Sequence, residues 1–363
     1  MKPYKFIISG GGTGGHIYPA IAIADKLKQT FPDAKILFVG ALGKMEMHQV
    51  PKAGYAIKGI WISGFQRSSF LKNILFPLKL VVSFFQSAFI LLSFKPDFAI
   101  GTGGFASGPI LFISHYLKIK TLIQEQNSYA GITNRVLGNR VDLIAVAFEG
   151  LDRFFPKAKI AITGNPIREA LVISKNKSAI ARSNFNLDIT KRTLVVLGGS
   201  LGAKKINQTI AAHLPLFSKF NIQLIWQCGK LYYDQYKKYN EDHNVQVYPF
   251  IQDMDLLYAA ADVLVSRAGA SSISELAVIG KPVILIPSPN VADNHQFHNA
   301  QALAKTGGAL VLIEQDIDQE FEKYFNRLLK VDQDLVKDEF VKFARPNATQ
   351  DIVGLIINKL NRN

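Results

Sequence analysis

Strand-length apolar runs alternate with helix-period segments along this chain. KFIISG is followed by IYPAIAIADKLKQT, and then come AKILFVG, PDFAIGTGG, KTLIQEQN, VDLIAVAF and KIAITGNP. Runs of this kind, apolar throughout rather than alternating, are strands buried on both faces, and a helix between each pair supplies the crossover that parallel strands need. The pattern therefore demands an α/β fold with a parallel sheet. After GNPIRE the text loosens into a Lys-, Ser- and Asn-rich stretch, residues 174–192, and a second series begins: TLVVLGGS, IQLIWQCG, VQVYPF, DVLVSR and KPVILIP. Two doubly wound, Rossmann-like domains in tandem fit this better than one large sheet. FIISGGGTGG and LVVLGGSLGA even repeat the same order of strand, glycine-rich turn and helix start. Ligands of such sheets sit beyond the carboxyl ends of the strands, so a cleft between the two domains is the expected site.

Composition agrees with that reading and excludes others. At 363 residues, 48% apolar and 19% charged, the chain has material for two cores. Its one cysteine, Cys228, excludes an internal disulfide and a Cys-built zinc site, which suits a reducing compartment. The start, MKPYKFIISGGG, reads as a first strand rather than a signal peptide, because glycines cut the apolar run short. The formal charge of +14 calls for a polyanionic partner: nucleic acid, anionic lipid or phosphorylated substrate. The basic residues are scattered in singles and pairs and no nucleic-acid-binding signature is present, so nucleic acid is not expected.

The segment FIISGGGTGGHIYPA, residues 6–20, fits G-x-G-x-x-G at Gly10, Gly12 and Gly15. A dinucleotide site also needs an acid after the second strand to hold the adenosine ribose. Here that strand, AKILFVG, is followed by no acid until Glu46. A nicotinamide oxidoreductase thus lacks its ribose ligand, and a tight turn alone does not account for five glycines with His16 at the helix start. The positive end of the helix dipole disfavours imidazolium there, which leaves the ring neutral and able to accept a proton. Glu125 of QEQN is the other candidate base.

In RAGASSISE the strand DVLVS ends at Arg267, Gly269 permits a close turn, Ser271 and Ser272 are capping types, and Glu275 lies about a turn further on. The helix N-terminus suits phosphate, and Glu275 suits two vicinal ribose hydroxyls. VADNHQFHNA then packs Asp293, Asn294, His295, Gln296, His298 and Asn299 together, as a ligand with many hydroxyls would require. Three Asp-x-Asp strings, at 253–255, 316–318 and 332–334, do not follow strands as a metal-binding string would. They read as surface acids, and no metal or other cofactor is expected.

Taken together, GGTGGHIYPA, GTGGFASGP, QEQNSYAGITNR, TGNPIR, LGGSLGAKKIN, FIQDM and RAGASSISE with PVILIPSPNVADNHQFHNA resemble the MurG family of peptidoglycan glycosyltransferases, in order and over residues 10–300. The resemblance implies a GT-B fold. Residues 1–166 would form the acceptor and membrane-facing domain, with a C-terminal helix within 345–363 packing back on it, and 167–344 the UDP-sugar domain. It implies inverting transfer of N-acetylglucosamine from UDP-GlcNAc to lipid I, giving lipid II, at the cytoplasmic face of the plasma membrane. Anionic lipid and other cell-wall or division proteins are the further partners it implies. Glu275 would hold the ribose, Ile251 would lie against uracil, and Ser200 with the backbone around Gly199 and Gly202 would meet the diphosphate, with charge from Arg168. Gln296 and Asn127 would contact the sugar hydroxyls, and Thr13, Gly14 and Gly15 would line the acceptor side. The sequence departs from the family in having Phe105 for Tyr and Leu201 for Gln. A UDP-GlcNAc 2-epimerase shares the donor half of such a fold but not the loops GTGGFASGP and EQNSYAG. A Rossmann oxidoreductase and a purely electrostatic polyanion-binding module are the remaining alternatives.

Residues 68–97 contain a charge-free run of 15 residues from Leu80 to Phe94, short of the ~20 that span a bilayer. Its helical pattern has two apolar stripes. Leu78, Val82, Phe85, Phe89 and Leu92 are expected to face the sheet. Phe76, Leu80, Phe84 and Leu91, near Lys72 and Lys79, are expected to face lipid.

Overall fold

The computed structural model describes residues 3–64, 74–167, 171, 178–199 and 201–361. The chain divides into two compact units, residues 1–167 with 347–363, and residues 168–346.

The first unit is built on seven strands, β1 (Lys5–Gly10), β2 (Lys35–Ala41), β3 (Ala56–Ile60), β4 (Phe98–Gly103), β5 (Lys120–Glu125), β6 (Leu143–Val146) and β7 (Ile160–Ile162). They form one parallel sheet in the order β3-β2-β1-β4-β5-β6-β7. Successive side chains enter opposite cores, as the pleat requires. Phe6, Ile8 and Phe38 pack with helix α1 (Gly14–Thr30), whereas Ile7, Leu37 and Val39 pack on the other face. The α1 layer includes Ile352, Val353 and Ile356 of the C-terminal helix Ala348–Asn361. Lys120 fastens the end of that helix by donating from Nζ to the carbonyls of Lys359 and Leu360, at 3.0 and 3.2 Å. Helices α2 (Glu46–Lys52), α3 (Phe76–Phe94), α4 (Ser107–Tyr116) and α5 (Ile132–Leu137) complete the unit's longer helices among the described residues.

Helix α3 reverses the expected orientation. Ser83, Ser87, Ile90 and Leu91 are buried, Leu91 to 1% exposure, while Leu78, Val81, Phe85, Phe89 and Leu92 face solvent. The serines decide this. Ser83 Oγ donates to the Leu80 carbonyl and Ser87 Oγ to the Ser83 carbonyl, each at 2.7 Å, so both present a small flank to their surroundings. Ile90 and Leu91 then enter the core beside Ile110 of α4, and Phe84 rests half-buried against Phe112 at 5.1 Å between ring centroids. Lys72 lies outside the described residues.

The second unit carries six parallel strands, β8 (Arg192–Leu197), β9 (Ile222–Gln227), β10 (Val245–Tyr248), β11 (Val263–Ser266), β12 (Val283–Leu285) and β13 (Ala309–Val311), in the order β10-β9-β8-β11-β12-β13. Leu194, Val196, Leu224 and Trp226 from the sheet pack with Ile206, Ile210, Phe217, Phe321 and Phe325 from flanking helices. Trp226 donates from Nε1 to Asn207 at 2.9 Å, and Asn207 in turn donates to the Cys228 carbonyl at 2.8 Å, so the buried indole N–H is satisfied. Both sheets reverse strand order at the first strand of the unit, between β1 and β4 and between β8 and β11. Helices leave to opposite faces at such a point, which opens a crevice at the carboxyl ends of those two strands.

Candidate functional site at the two switch points

Each switch point is flanked by two glycine loops. In the first unit they follow β1 (residues 11–13) and β4 (residues 104–106), and the second, with Gly103 at the end of β4, touches the first backbone to backbone. Gly11 N donates to the Gly103 carbonyl at 3.3 Å, and a Cβ on Gly104, whose φ is +88°, would come within 2.3 Å of the Gly11 carbonyl oxygen. Below the first loop lies Glu46, fully buried. Its carboxylate accepts from Gly12 N and Ala41 N, both at 2.9 Å. A Cβ on Gly11 would meet that carboxylate at 2.2 Å, so this glycine makes room for the acid that holds the loop. Sequence reasoning noted Glu46 only as a misplaced ribose ligand; buried carboxylates of this kind carry no sequence signature beyond a glycine nearby.

Thr13 precedes α1, Gly14 and Gly15 open its first turn, and His16 follows, partly buried. The His16 Nδ1 lies 2.9 Å from the Gly11 carbonyl and 3.4 Å from Thr13 Oγ1. A carbonyl can only accept, so Nδ1 is the donor, and in the neutral ring Nε2 then carries the lone pair. From β4, Thr102 Oγ1 donates to the His16 carbonyl at 2.8 Å, and the edge of the imidazole lies against Gly103. Phe105, 41% exposed, covers Gly12 and Gly64.

Glu125, at the end of β5, is 1% exposed. Oε1 accepts from Asn127 N at 3.0 Å and Asn127 Nδ2 at 3.3 Å; Oε2 accepts from Gly131 N at 3.0 Å and Asn134 Nδ2 at 2.9 Å. Both oxygens are turned into the loop, which speaks against the expectation that this group is the base: it builds the loop and orients Asn127. Around it, Gln124 bonds Asn165 at 2.9 Å and Gln126 bonds the Thr102 carbonyl at 2.7 Å, tying the β5 loop to β4 and to the residues after β7.

In the second unit the loop after β8 runs through Gly198 and Gly199 to Leu201, which is 64% exposed, and Gly202. A Cβ on Gly202, with φ +83°, would come within 2.1 Å of the Cys228 carbonyl oxygen, so the turn can close only with glycine there. Gln227, 4% exposed, joins two loops: Nε2 donates to the Gly199 carbonyl at 3.3 Å and Oε1 accepts from Ile251 N at 2.9 Å. Ile251 is itself 6% exposed. Ser200 and Arg168 lie outside the described residues.

The helix after β11 is Ala270–Ile279, with Gly269 as its N-cap and no side-chain cap bond. Ser271 and Ser272 therefore sit inside the first turn rather than capping it, because Gly269 already takes the extended conformation at the boundary. Glu275, partly exposed, accepts from the hydroxyl of Tyr258 at 3.0 Å, and Tyr258 is 1% exposed on the helix Met254–Ala260. Lys281 donates to the carbonyls of Tyr258 and Ala259 at 2.9 and 3.2 Å, closing the end of that helix, and burial pushes its pKa down to about 8. Gln296 Oε1 accepts from Ser288 N at 2.9 Å, and buried Asn299 reaches the Ala268 carbonyl at 3.5 Å, so the His295–Ala304 helix is tied to the loops after β11 and β12. Arg267 is held among the carbonyls of Ile286 and Pro287 and paired with Glu314. Of the Asp-x-Asp strings, Asp332 caps the helix Gln333–Phe343 through the amides of Asp334 and Leu335, and Asp318 pairs with Lys205.

Two Rossmann-like parallel-sheet units with these paired loops define the GT-B class of glycosyltransferases. Residues 6–146 match the family model for the glycosyltransferase family 28 N-terminal domain, and residues 193–348 that for its C-terminal domain. The chain is 55% identical over 98% of its length, and 98% of the relative's, to the UDP-N-acetylglucosamine–N-acetylmuramyl-(pentapeptide) pyrophosphoryl-undecaprenol N-acetylglucosamine transferase of Flavobacterium psychrophilum. It is 51% identical to the protein of the same name from Christiangramia forsetii, again over 98% of both chains. The crystal structure of MurG from Acinetobacter baumannii superposes with a TM-score of 0.79 at 28% identity, covering 98% of this chain and all of that one. The chain belongs to the MurG family of UDP-GlcNAc-dependent glycosyltransferases.

Proposed function

We propose that this protein transfers N-acetylglucosamine from UDP-GlcNAc to the N-acetylmuramyl sugar of a pyrophosphoryl-undecaprenol-linked pentapeptide, lipid I, forming lipid II in peptidoglycan synthesis. The first unit takes the acceptor and the second the donor. Glu275, steadied by Tyr258, holds the donor ribose; Ile251 lies beside uracil; Gly199, Ser200, Gly202 and Arg168 meet the diphosphate; Gln296 and Asn127 contact the sugar; Thr13, Gly14 and Gly15 line the acceptor side. The acceptor hydroxyl gives its proton to His16 Nε2 as its oxygen attacks the anomeric carbon, and UDP leaves from the opposite side, inverting configuration. Helix N-termini and Arg168 stabilise the charge that develops on the leaving diphosphate, and the step uses no metal ion.

The observation that carries this reading is the placement of His16, whose Nδ1 lies 2.9 Å from the Gly11 carbonyl beside the loops of the first switch point. A neutral ring that donates from Nδ1 there has its lone pair on Nε2, the nitrogen assigned the proton transfer. Incubating UDP-GlcNAc with and without the lipid acceptor tests it. Acceptor-dependent release of UDP with a disaccharide lipid product is expected. Conversion of UDP-GlcNAc without acceptor would move the chain to the epimerases.

The acceptor's prenyl chain calls for a membrane, and we assign the docking surface to α3, at the cytoplasmic face. That helix, 19 residues with Lys79 inside it, is longer than its 15-residue charge-free run and by length and composition could cross a bilayer, yet Ile90 and Leu91 are committed to the core, so its outer face is what remains for lipid. Phe85 and Phe89 there flank a groove of about 490 Å³ that also touches Lys58 and Gln86, and Lys79 lies over the Trp61 ring.

A further inference from the structure

The segments that follow β5 and β6, helix α5 among them, carry a cation cluster that none of the roles above uses. Tyr129 and Phe154 meet edge to face with centroids 4.8 Å apart. Two guanidinium groups share these rings: Arg135 lies 5.4 and 5.6 Å from the Tyr129 and Phe154 centroids, and Arg153 lies 5.8 and 4.8 Å from the same two. Arg153 also donates to the Ser128 carbonyl at 2.9 Å, which fixes it to the residue after Asn127. Among the described residues neither guanidinium is ion-paired, although Glu149 and Asp152 lie on the same loop as Arg153, and the buried Nε of Arg135 has no hydrogen-bond partner.

Two like charges gathered on one ring pair repel each other, and an anion held between them relieves that repulsion. Stacking occupies the flat faces of a guanidinium and leaves its in-plane N–H groups for an oxyanion, which they bind as a fork. Both segments leave the carboxyl ends of their strands, the same edge of the sheet as His16 and Asn127.

We propose that Arg135 and Arg153, seated on Tyr129 and Phe154, are an oxyanion-binding site for the acceptor substrate. The inference rests on the transferase reading. An acceptor of that kind offers such groups at the terminal carboxylate of its peptide and at its pyrophosphate, and both accept paired hydrogen bonds from arginine.

The test is steady-state kinetics of the Arg135→Gln/Arg153→Gln double variant with three acceptors: the complete molecule, one whose peptide ends in an amide, and one lacking the peptide. The acceptor KM should rise about tenfold or more on the complete molecule while the KM for UDP-GlcNAc stays put. A rise that vanishes on the amide and on the peptide-free acceptor identifies the carboxylate; a rise on all three identifies the pyrophosphate. Lysine at both positions keeps the charge without the fork and should restore only part of the loss. If the double variant melts early, Arg153→Gln alone repeats the comparison, because Arg153 is exposed. An acceptor KM unchanged on every acceptor, with normal wild-type turnover, overturns the site and leaves the function standing. A wild-type chain that does not turn over the complete acceptor overturns the function and this site's ligand with it.

Discussion

Replacing Phe85 and Phe89 of α3 by serine should detach the protein from membranes without unfolding it. The two rings are 73% and 71% exposed, so the folded chain gains little from them. Complete transfer of a Phe side chain out of water is worth about 1.5–3 kcal/mol. Scaling by the exposed share, the pair is worth about 2–4 kcal/mol of membrane affinity, or roughly thirtyfold to several-hundredfold in partitioning. Sedimentation with vesicles containing anionic lipid measures this directly, and thermal melting checks the fold. Leu91→Ser is the matched control: with 1% exposure it is core, and its loss should cost about 3 kcal/mol or more of stability. The reasoning fails if the double serine variant still binds vesicles as the wild type does, or if it melts early while Leu91→Ser does not.

Removing the Glu275 carboxylate with Ala should weaken UDP-GlcNAc binding by about 2 kcal/mol or more in calorimetry, and Tyr258→Phe, which only frees that carboxylate from its hydroxyl partner, by about 1 kcal/mol with kcat retained. His16→Ala should lower kcat by about a hundredfold or more while leaving the donor KM near its starting value, as loss of a general base requires; a defect confined to KM would make the ring a positioning group. Cys228 should resist alkylation in the native protein at pH 8: burial pushes its thiol up to about 11, so the reactive thiolate becomes abundant only as pH approaches that value, and rapid labelling at pH 8 would contradict the burial.

The strands that could be read from the sequence were those buried on both faces. TLVVL and FIISG each carry one polar residue, Thr193 and Ser9, in an otherwise apolar run, whereas β3, AIKGI, and β13, ALV, are short edge strands, with too few residues to separate from loop. Motif residues stood out where their chemistry exceeds what folding needs, as with His16 among glycines and Glu275 after RAGASS. Their supporting residues did not. Glu46, Gln227 and Tyr258 act through neighbours distant in the chain, at separations of 34, 28 and 17 residues, and nothing in their immediate context marks them. Glu125 illustrates the converse: a carboxylate in a promising motif, whose four donors become visible only when residues 127–134 fold over it.

What the amino-acid order determined by itself is periodic or local: two series of βα units, the glycine turns that end the first strand of each, and a helix within residues 68–97 with two apolar stripes. Tertiary structure alone decided which way that helix faces. With two apolar stripes to choose from, its hydrophobic periodicity does not select the buried one, and the choice falls to shape: Ser83 and Ser87 bend their hydroxyls onto their own backbone, the slim side they leave enters the fold with Ile90 and Leu91, and Phe85 and Phe89 are left outside. The same holds for the loops. Glycine permits their turns, but a buried carboxylate beneath one and a glutamine between two others set where their backbone amides point, because those partners are brought together only by the order of the strands.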